Sequence, residues 1–426
     1  MSVVRLVRRR KKARVLGEVE VVRREEYEGL DLDAKVELIR AMIPLGLMHV
    51  QELLETEVEE LAGRRYGRDE DRPGYRHGSN AGSVRLAGQK VPMRVPRVRG
   101  TQGEIPLRSY AAVHGRGGEL DEVLLKRVLY GISCRNYETA AQAIPGAIGL
   151  SSSTVSREFV EASAKQLQMF QDRDLSGEDI VALFLDGKTF AEDTIVVAMG
   201  VTITGEKRFL GFVETDTESE KVLTPFLRSL LDRGLDVSRG VLVVIDGGKG
   251  LRAAVNKVFK GRTVVQRCTW HKRENVVGYL AKSEQTAWRR RLQKAYERPT
   301  EDEARKALKS IQADLEDKNQ SAAASLAEGL DETLSLHHLG VAALLGRSFK
   351  TTNCLESVNA LIEERCAKVD AWKSSSQKHR WLAAALLDIE PRLRRVKGHV
   401  HLSKLREALQ RELKIVLAAP ALAEAA

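Results

Sequence analysis

A chain of 426 residues has room for roughly two to four domains, and its 43% apolar content supports at least one real core, which excludes global disorder. The formal net charge of +10, from 69 Lys and Arg against 59 Asp and Glu, attracts polyanions, nucleic acid first among them. Cys134, Cys268, Cys354 and Cys366 are too few for a disulfide scaffold, and no run of about 18 apolar residues occurs that could span a membrane.

The N-terminus, MSVVRLVRRRKKAR, is basic and lacks the apolar stretch of a secretion signal, so a cytosolic protein is expected. Arg5, Arg8, Arg9, Arg10, Lys11, Lys12 and Arg14 form a block that serves as a solvated arm or as one that touches DNA. From Leu32 to Leu61, apolar residues such as Val36, Ile39, Leu47, Val50 and Leu54 recur at helical spacing. The spacing predicts a helix pair broken near Pro44-Leu45-Gly46, with an acidic outer face that suits packing or self-association.

Residues 64–116 turn to Arg, Gly and Pro, and VRLAGQKVPMRVPRVRG alternates apolar and basic side chains about Ala87-Gly88-Gln89. This is a hairpin pattern, with Val91, Met93, Val95 and Val98 on one face and Lys90, Arg94, Arg97 and Arg99 on the other. Its prolines assign it to edge strands. A basic ribbon of this kind lies along a DNA groove or stands half-buried at a surface. Residues 117–172 read as three helices, the last led by serines that can cap it. A short turn before such a helix fits a helix-turn-helix, with Ser152, Ser153, Thr154, Ser156 and Arg157 facing the groove; the alternative is an ordinary helical subdomain with capping serines.

Residues 178–271 alternate strand and helix. Strands are predicted at Ile180–Leu185, Ile195–Ile203, Phe209–Val213, Val241–Ile245 and Thr263–Gln266, and helices at Glu218–Arg233 and Lys249–Val258. Three strands in succession before the first helix imply a mixed sheet. Residues 276–345 are charged and helical, an insertion, after which TTNCLESVNALIEERC opens another helix. His399–Leu417 reads as a last amphipathic helix.

The chemistry concentrates at two strand ends. ALFLDGKTF and VLVVIDGGKGL each run from a buried strand into Asp-Gly, giving Asp186 and Asp246. Gly187-Lys188-Thr189 is not a phosphate-cradling loop, because Ala182 stands where such a loop needs its first glycine. Two carboxylates on neighbouring strands repel, and a divalent cation relieves the repulsion. Hard oxygen ligands favour Mg2+ or Mn2+. A third carboxylate from a helix would complete a two-metal site for in-line phosphoryl transfer. Glu356 is nominated, with Glu363 and Glu364 in competition. Cys268-x-x-His271 lacks a second ligand pair for zinc, His337, His338 and Cys354 being only loose candidates. Trp270 between them stacks on a displaced base or fills core. Arg289, Arg290 and Arg291 are phosphate contacts or a solvated helix face.

FLDGKTF, VVIDGGKGL, QRCTWHKREN and NCLESVNALIEER together resemble the Mutator-type bacterial insertion-sequence transposases, in the expected order and over most of the chain. The resemblance implies an α/β multidomain protein: a ribonuclease H-like mixed sheet with an all-helical insertion, preceded by helical, β-ribbon and helix-turn-helix DNA-binding parts. Its expected boundaries are 1–63 for the arm and helical region, 64–116 for the ribbon and 117–172 for the helix-turn-helix. The catalytic domain is expected at 178–275 and 346–397 around an insertion at 276–345, with a tail at 398–426. Carried over by motif, Asp186, Asp246 and Glu356 are the catalytic acids, Asp186 bridging two Mg2+ or Mn2+ ions and the others holding one each. Cys268 and His271 support the site. The text after Glu356 is more acidic than in many relatives, with Arg365 and Lys368 the nearest bases.

The implied activity is cleavage and strand transfer on double-stranded DNA, terminal inverted repeats and target alike, by a homodimer without a nucleotide cofactor. The implied setting is the bacterial cytoplasm, at the nucleoid. A catalytically inactive DNA-binding regulator and a structure-specific nuclease are the competing readings.

Overall fold

The computed structural model describes residues 3–7, 18–22, 32–67, 72–86, 89–114, 125–130, 152–190, 192–216 and 219–415. The chain divides into two compact units, Met1–Ala162 and Ser163–Ala426. Most of the basic arm, Cys134 and the first two helices expected of the helix-turn-helix, apart from a helical turn at 125–129, lie outside the described residues.

In the first unit, β1 (Val3–Val7) and β2 (Glu18–Val22) pair antiparallel. Leu32–Ala62 is one helix, not the expected pair. A proline inside a helix removes one hydrogen bond and kinks it as readily as it ends it. Beyond Pro44 the helix is anchored by packing: Leu54 and Val58 are buried against Val95, Val98 and Leu107. The ribbon is β3 (Tyr75–Leu86) and β4 (Gln89–Gly100), with a short β5 (Gly103–Ile105) on the far side of β4. β5 pairs only with Val98–Gly100, so β4 has a single neighbour along Pro92 and Pro96, where those prolines cost no ladder bond. Ser152–Gln171 forms a single helix.

The second unit is built on a five-stranded mixed sheet of order β10-β9-β6-β7-β8. Its strands are β6 (Ile180–Phe190), β7 (Asp193–Thr202), β8 (Lys207–Thr215), β9 (Val241–Ile245) and β10 (Thr263–Arg267). β6, β7 and β8 form an antiparallel meander, and β9 and β10 add in parallel on the other side of β6. Parallel neighbours need crossovers, which the helices Glu220–Asp232 and Lys249–Phe259 supply.

Period-two alternation divides β6 between two faces. Leu183 and Leu185 join Val243 and Ile245 in a core with Leu223, Leu227 and Leu230 of the first crossover helix and Leu251 and Val255 of the second. The other face carries Phe184, which stacks on Phe349 with ring centroids 5.6 Å apart. Burial on both sides explains why IVALFL is uniformly apolar and not alternating.

After β10 the chain is helical. Thr269–Gly278, Lys282–Tyr296, Glu301–Glu316 and Gln320–Ala327 share a separate core around Trp288, Leu292, Leu308 and Leu326. Gln266 ties this bundle to β10: its side chain donates to the Thr333 carbonyl at 2.9 Å and accepts from the Leu336 N–H at 3.0 Å. Ala342–Phe349, Asn353–Cys366, Ser375–Ile389 and Leu402–Glu412 complete the unit.

Candidate active site

Asp186 does not close its strand, as the run of apolar residues implied. β6 continues to Phe190, because β7 pairs with it through Phe190. What ends at Asp186 is the other side of the ladder, where the last parallel pair is Leu185 with Ile245. Asp186 is therefore 7% exposed, covered by β7 on one side and open toward the end of β9 on the other. Asp246 is the residue after β9, one step beyond that last pair. Neighbouring strands run about 4.8 Å apart, so the two aspartates stand side by side. They follow Phe184 and Val244 in the alternation, on the face away from the crossover helices.

The glycines after Asp246 have a structural cause. Gly247 adopts φ +110, and a Cβ there would lie 2.0 Å from Nε of Arg267. Arg267 is itself buried, donating to the Glu328 carbonyl at 3.1 Å, with its Nε unpartnered. The Gly248 N–H donates to Oδ1 of Asp246 at 2.9 Å and fixes that carboxylate at the loop's start.

Contacts along β6 give the three glutamates of Asn353–Cys366 different surroundings. On the Asp186 face of β6, Phe184 meets Phe349, Lys188 pairs with Glu363, and Phe190 meets Trp372 with centroids 5.0 Å apart. The chain from Phe349 to Trp372, which contains this helix, thus follows β6 in the strand's own direction, and the charge of Asp186 acts on Cys354 in the helix's first turn. Glu363 is taken by Lys188, and Glu364 pairs with Arg365 at 2.8 Å. Glu356, in the first turn, has a buried Oε1 with no hydrogen-bond partner. Two residues earlier, burial pushes the Cys354 thiol up to about 12, and the charge of Asp186 adds to the shift.

Cys268 and His271 join the strands to this helix. The Cys268 N–H donates to the carbonyl of Ile245 at 2.7 Å, and its buried Sγ accepts from the Thr352 N–H at 3.4 Å. The Thr352 carbonyl in turn accepts from the N–H of Glu356 at 3.3 Å. One chain of hydrogen bonds therefore links the residue before Asp246 to Glu356. Thr352 Oγ1 also lies 3.4 Å from Nδ1 of His271.

Burial raises the Cys268 thiol, but hydrogen bonding with His271 outweighs it and holds the group below its usual range. The same hydrogen bond raises His271 to about 9 against its own burial, helped by the charges of Cys268, Asp186 and Asp246. An imidazolium that senses both aspartates sits in their neighbourhood. The sequence does not single out Thr352 or Lys188 as site residues: Thr352 stands at the opening of a helix, and Lys188 within a Gly-Lys-Thr that is no phosphate loop.

The DNA-contact candidates differ in what holds them. Arg94 and Arg99 are exposed on β4, whereas Arg97 makes a two-pronged pair with Glu104 at 2.6 and 2.8 Å. Ser153, Ser156 and Arg157 are exposed in the first turns of their helix, and Thr154 is half-buried. Trp270 is 37% exposed. Arg289 pairs with Glu274 at 2.9 Å, and Arg291 pairs with Asp314 while lying over the Trp288 ring; Arg290 is exposed.

These features define an α/β protein whose conspicuous side chains are acids at the end of a mixed sheet. Residues 17–393 match the family described as "Transposase, Mutator family", and the chain belongs to that family. It is 30% identical over 253 residues to the transposase for insertion sequence element IS6120 of Mycolicibacterium smegmatis, covering 58% of this chain and 76% of that one. It is 25% identical over 353 residues to the transposase for IS256 in transposon Tn4001 of Staphylococcus aureus, covering 79% and 87%. The transposase for IS406 of Burkholderia multivorans is 26% identical over 346 residues, covering 78% and 85%. No described helix is long and apolar enough to cross a membrane.

Proposed function

We propose that this chain cleaves the ends of an insertion sequence and joins them to target DNA, with Asp186, Asp246 and Glu356 as its catalytic acids. The carrying observation is where the three acids sit in the fold: Asp186 in β6, Asp246 one residue past the adjacent β9, and Glu356 on the helix whose Glu363 pairs with Lys188 of β6. The order of a three-strand meander followed by two parallel strands supports a ribonuclease H-like reading of the sheet.

The three carboxylates suit hard divalent cations, and the unpartnered Oε1 of Glu356 is an oxygen in want of a charge. Among the described residues no three acidic, histidine or cysteine side chains are already gathered as a metal-holding group. Asp186, Asp246 and Glu356 would hold two Mg2+ or Mn2+ ions. When bound, such ions activate the attacking oxygen and stabilise the leaving one.

Two unit charges 4 Å apart repel by about 4 kcal/mol at an effective dielectric of 20. His271, protonated at neutral pH, offsets part of that repulsion between Asp186 and Asp246. Thr352 and Cys268 hold the first turn of the Glu356 helix in register with β9. Lys188 fixes the same helix two turns further on through Glu363.

In the first unit, Arg94 and Arg99 of the ribbon supply phosphate contacts, and Ser153, Ser156 and Arg157 face the groove as part of a helix-turn-helix. Joining two ends calls for two active sites, hence a homodimer on DNA. Transesterification conserves phosphodiester bonds and needs no nucleotide cofactor.

The test is incubation of the full chain with DNA carrying the ends of its own element. Cleavage that needs Mg2+ or Mn2+, stops with EDTA and is lost in Asp186→Asn is expected, together with joining of a pre-cleaved end. Metal-independent cleavage would overturn the proposal. Cleavage without any joined product would make the chain a nuclease.

A further inference from the structure

Beside the turn that carries Glu356 lies a cleft of about 500 Å³ that the proposed chemistry does not use. It opens between the start of Thr269–Gly278, the helical bundle after it, and Ala342–Phe349. Its volume falls within the roughly 300–1,000 Å³ of sites that hold a small ligand. Trp270 lines it and keeps 37% of its surface exposed, which is unusual for so large an apolar ring. Thr351 and Asn353 also line it, so its mouth borders the turn that carries Glu356.

The wall has a defined chemistry. Burial holds the His337 ring below its usual pKa, and Nε2 lies 3.0 Å from the Arg298 carbonyl, so Nε2–H donates. Its Nδ1 is then a lone-pair acceptor, and it is buried without a partner. Arg298, Arg347 and Lys350 line the same cleft and have no ion-pair partner among the described residues. Gly346 lies inside a helix, where glycine costs about 1 kcal/mol relative to alanine. A Cβ there would meet nothing within 4 Å, so the missing side chain leaves space in the cleft.

We propose that this cleft receives one unpaired nucleotide of a DNA strand, its base stacked on Trp270, its polar edge on Nδ1 of His337 and its phosphates on Arg347 and Lys350. Every base carries an N–H that can donate to Nδ1, so the cleft accepts any of the four. A strand lying across the acids passes the mouth of the cleft, which places the held nucleotide next to the reacting phosphate. The inference rests on the transposase reading of the acids.

Affinity of the full chain would be measured by fluorescence anisotropy at fixed salt, comparing a blunt duplex with the same duplex bearing a five-nucleotide single-stranded tail. The tailed duplex should bind about tenfold tighter, the size of one base stacked on an aromatic ring. Trp270→Ala should abolish the preference. So should Gly346→Leu, which fills the cleft and leaves Trp270 in place, with blunt-duplex affinity and melting temperature kept. No preference in the wild type, or retention of it by either variant, overturns the proposal. Metal-dependent cleavage by the same wild-type preparation separates the outcomes: cleavage without tail preference sinks the cleft alone, and loss of both sinks the two readings together.

Discussion

Replacing Gly247 with alanine tests whether the loop after Asp246 is shaped by what it packs on. At φ +110 any Cβ carries a conformational cost of about 1–2 kcal/mol. The new methyl would also lie 2.0 Å from Nε of Arg267, so the buried guanidinium must move. Its hydrogen bond to the Glu328 carbonyl at 3.1 Å would then break, and losing a buried charged bond costs about 1.5–3 kcal/mol. The sum is about 2.5–5 kcal/mol.

Gly261 supplies the control. It adopts φ +77 with nothing within 4 Å of an added Cβ, so Gly261→Ala carries the conformational cost alone. At about 2–4 °C per kcal/mol, the melting temperature should fall by on the order of 10 °C for Gly247→Ala and by about 3–5 °C for Gly261→Ala. Cleavage of end DNA, measured below both transitions, should drop about 100-fold in Gly247→Ala, because a displacement near 1 Å at a reacting group costs that much. Equal losses in melting temperature, or intact cleavage in Gly247→Ala, would refute the argument.

Glu356→Gln should abolish metal-dependent cleavage and leave DNA binding intact, whereas Glu363→Gln, which loses only its pair with Lys188, should stay within about tenfold of wild type. The reverse ranking in a cleavage assay would move the third acid to Glu363. Burial holds Lys272 at about 8 against an ordinary 10.5, so the unfolded chain binds the extra proton between those values and stability rises with pH across that window. Lys272→Met should remove that rise, about 3 kcal/mol at most, from pH-dependent urea unfolding; an unchanged slope would show that another group titrates. Arg94→Ala should weaken DNA binding and flatten its salt dependence by about one unit of slope. Arg97→Ala should do less, because Glu104 already neutralises it, and an equal effect would mean that DNA displaces Glu104.

Much of this molecule was legible in one dimension because the signals are local. Alternation and helical spacing follow from backbone geometry over a few residues, and apart from the end of β6 they placed the strands of the five-stranded sheet and both crossover helices to within two positions. The same local logic failed at Pro44, where distant packing of Leu54 and Val58 on the ribbon carries a helix through a residue that favours a break. It failed again at Asp186, where pairing with β7 extends the strand past the acid.

The sequence by itself determined that two acids follow buried apolar runs and that a glutamate follows in a helix. Only the tertiary structure decided which glutamate is left without a partner, and which arginines are free to meet a phosphate. Lys188 and Glu363 are far apart along the chain, and no periodicity couples them. Their pairing exists because the chain from Phe349 to Trp372 packs along β6, which only the folded structure brings about.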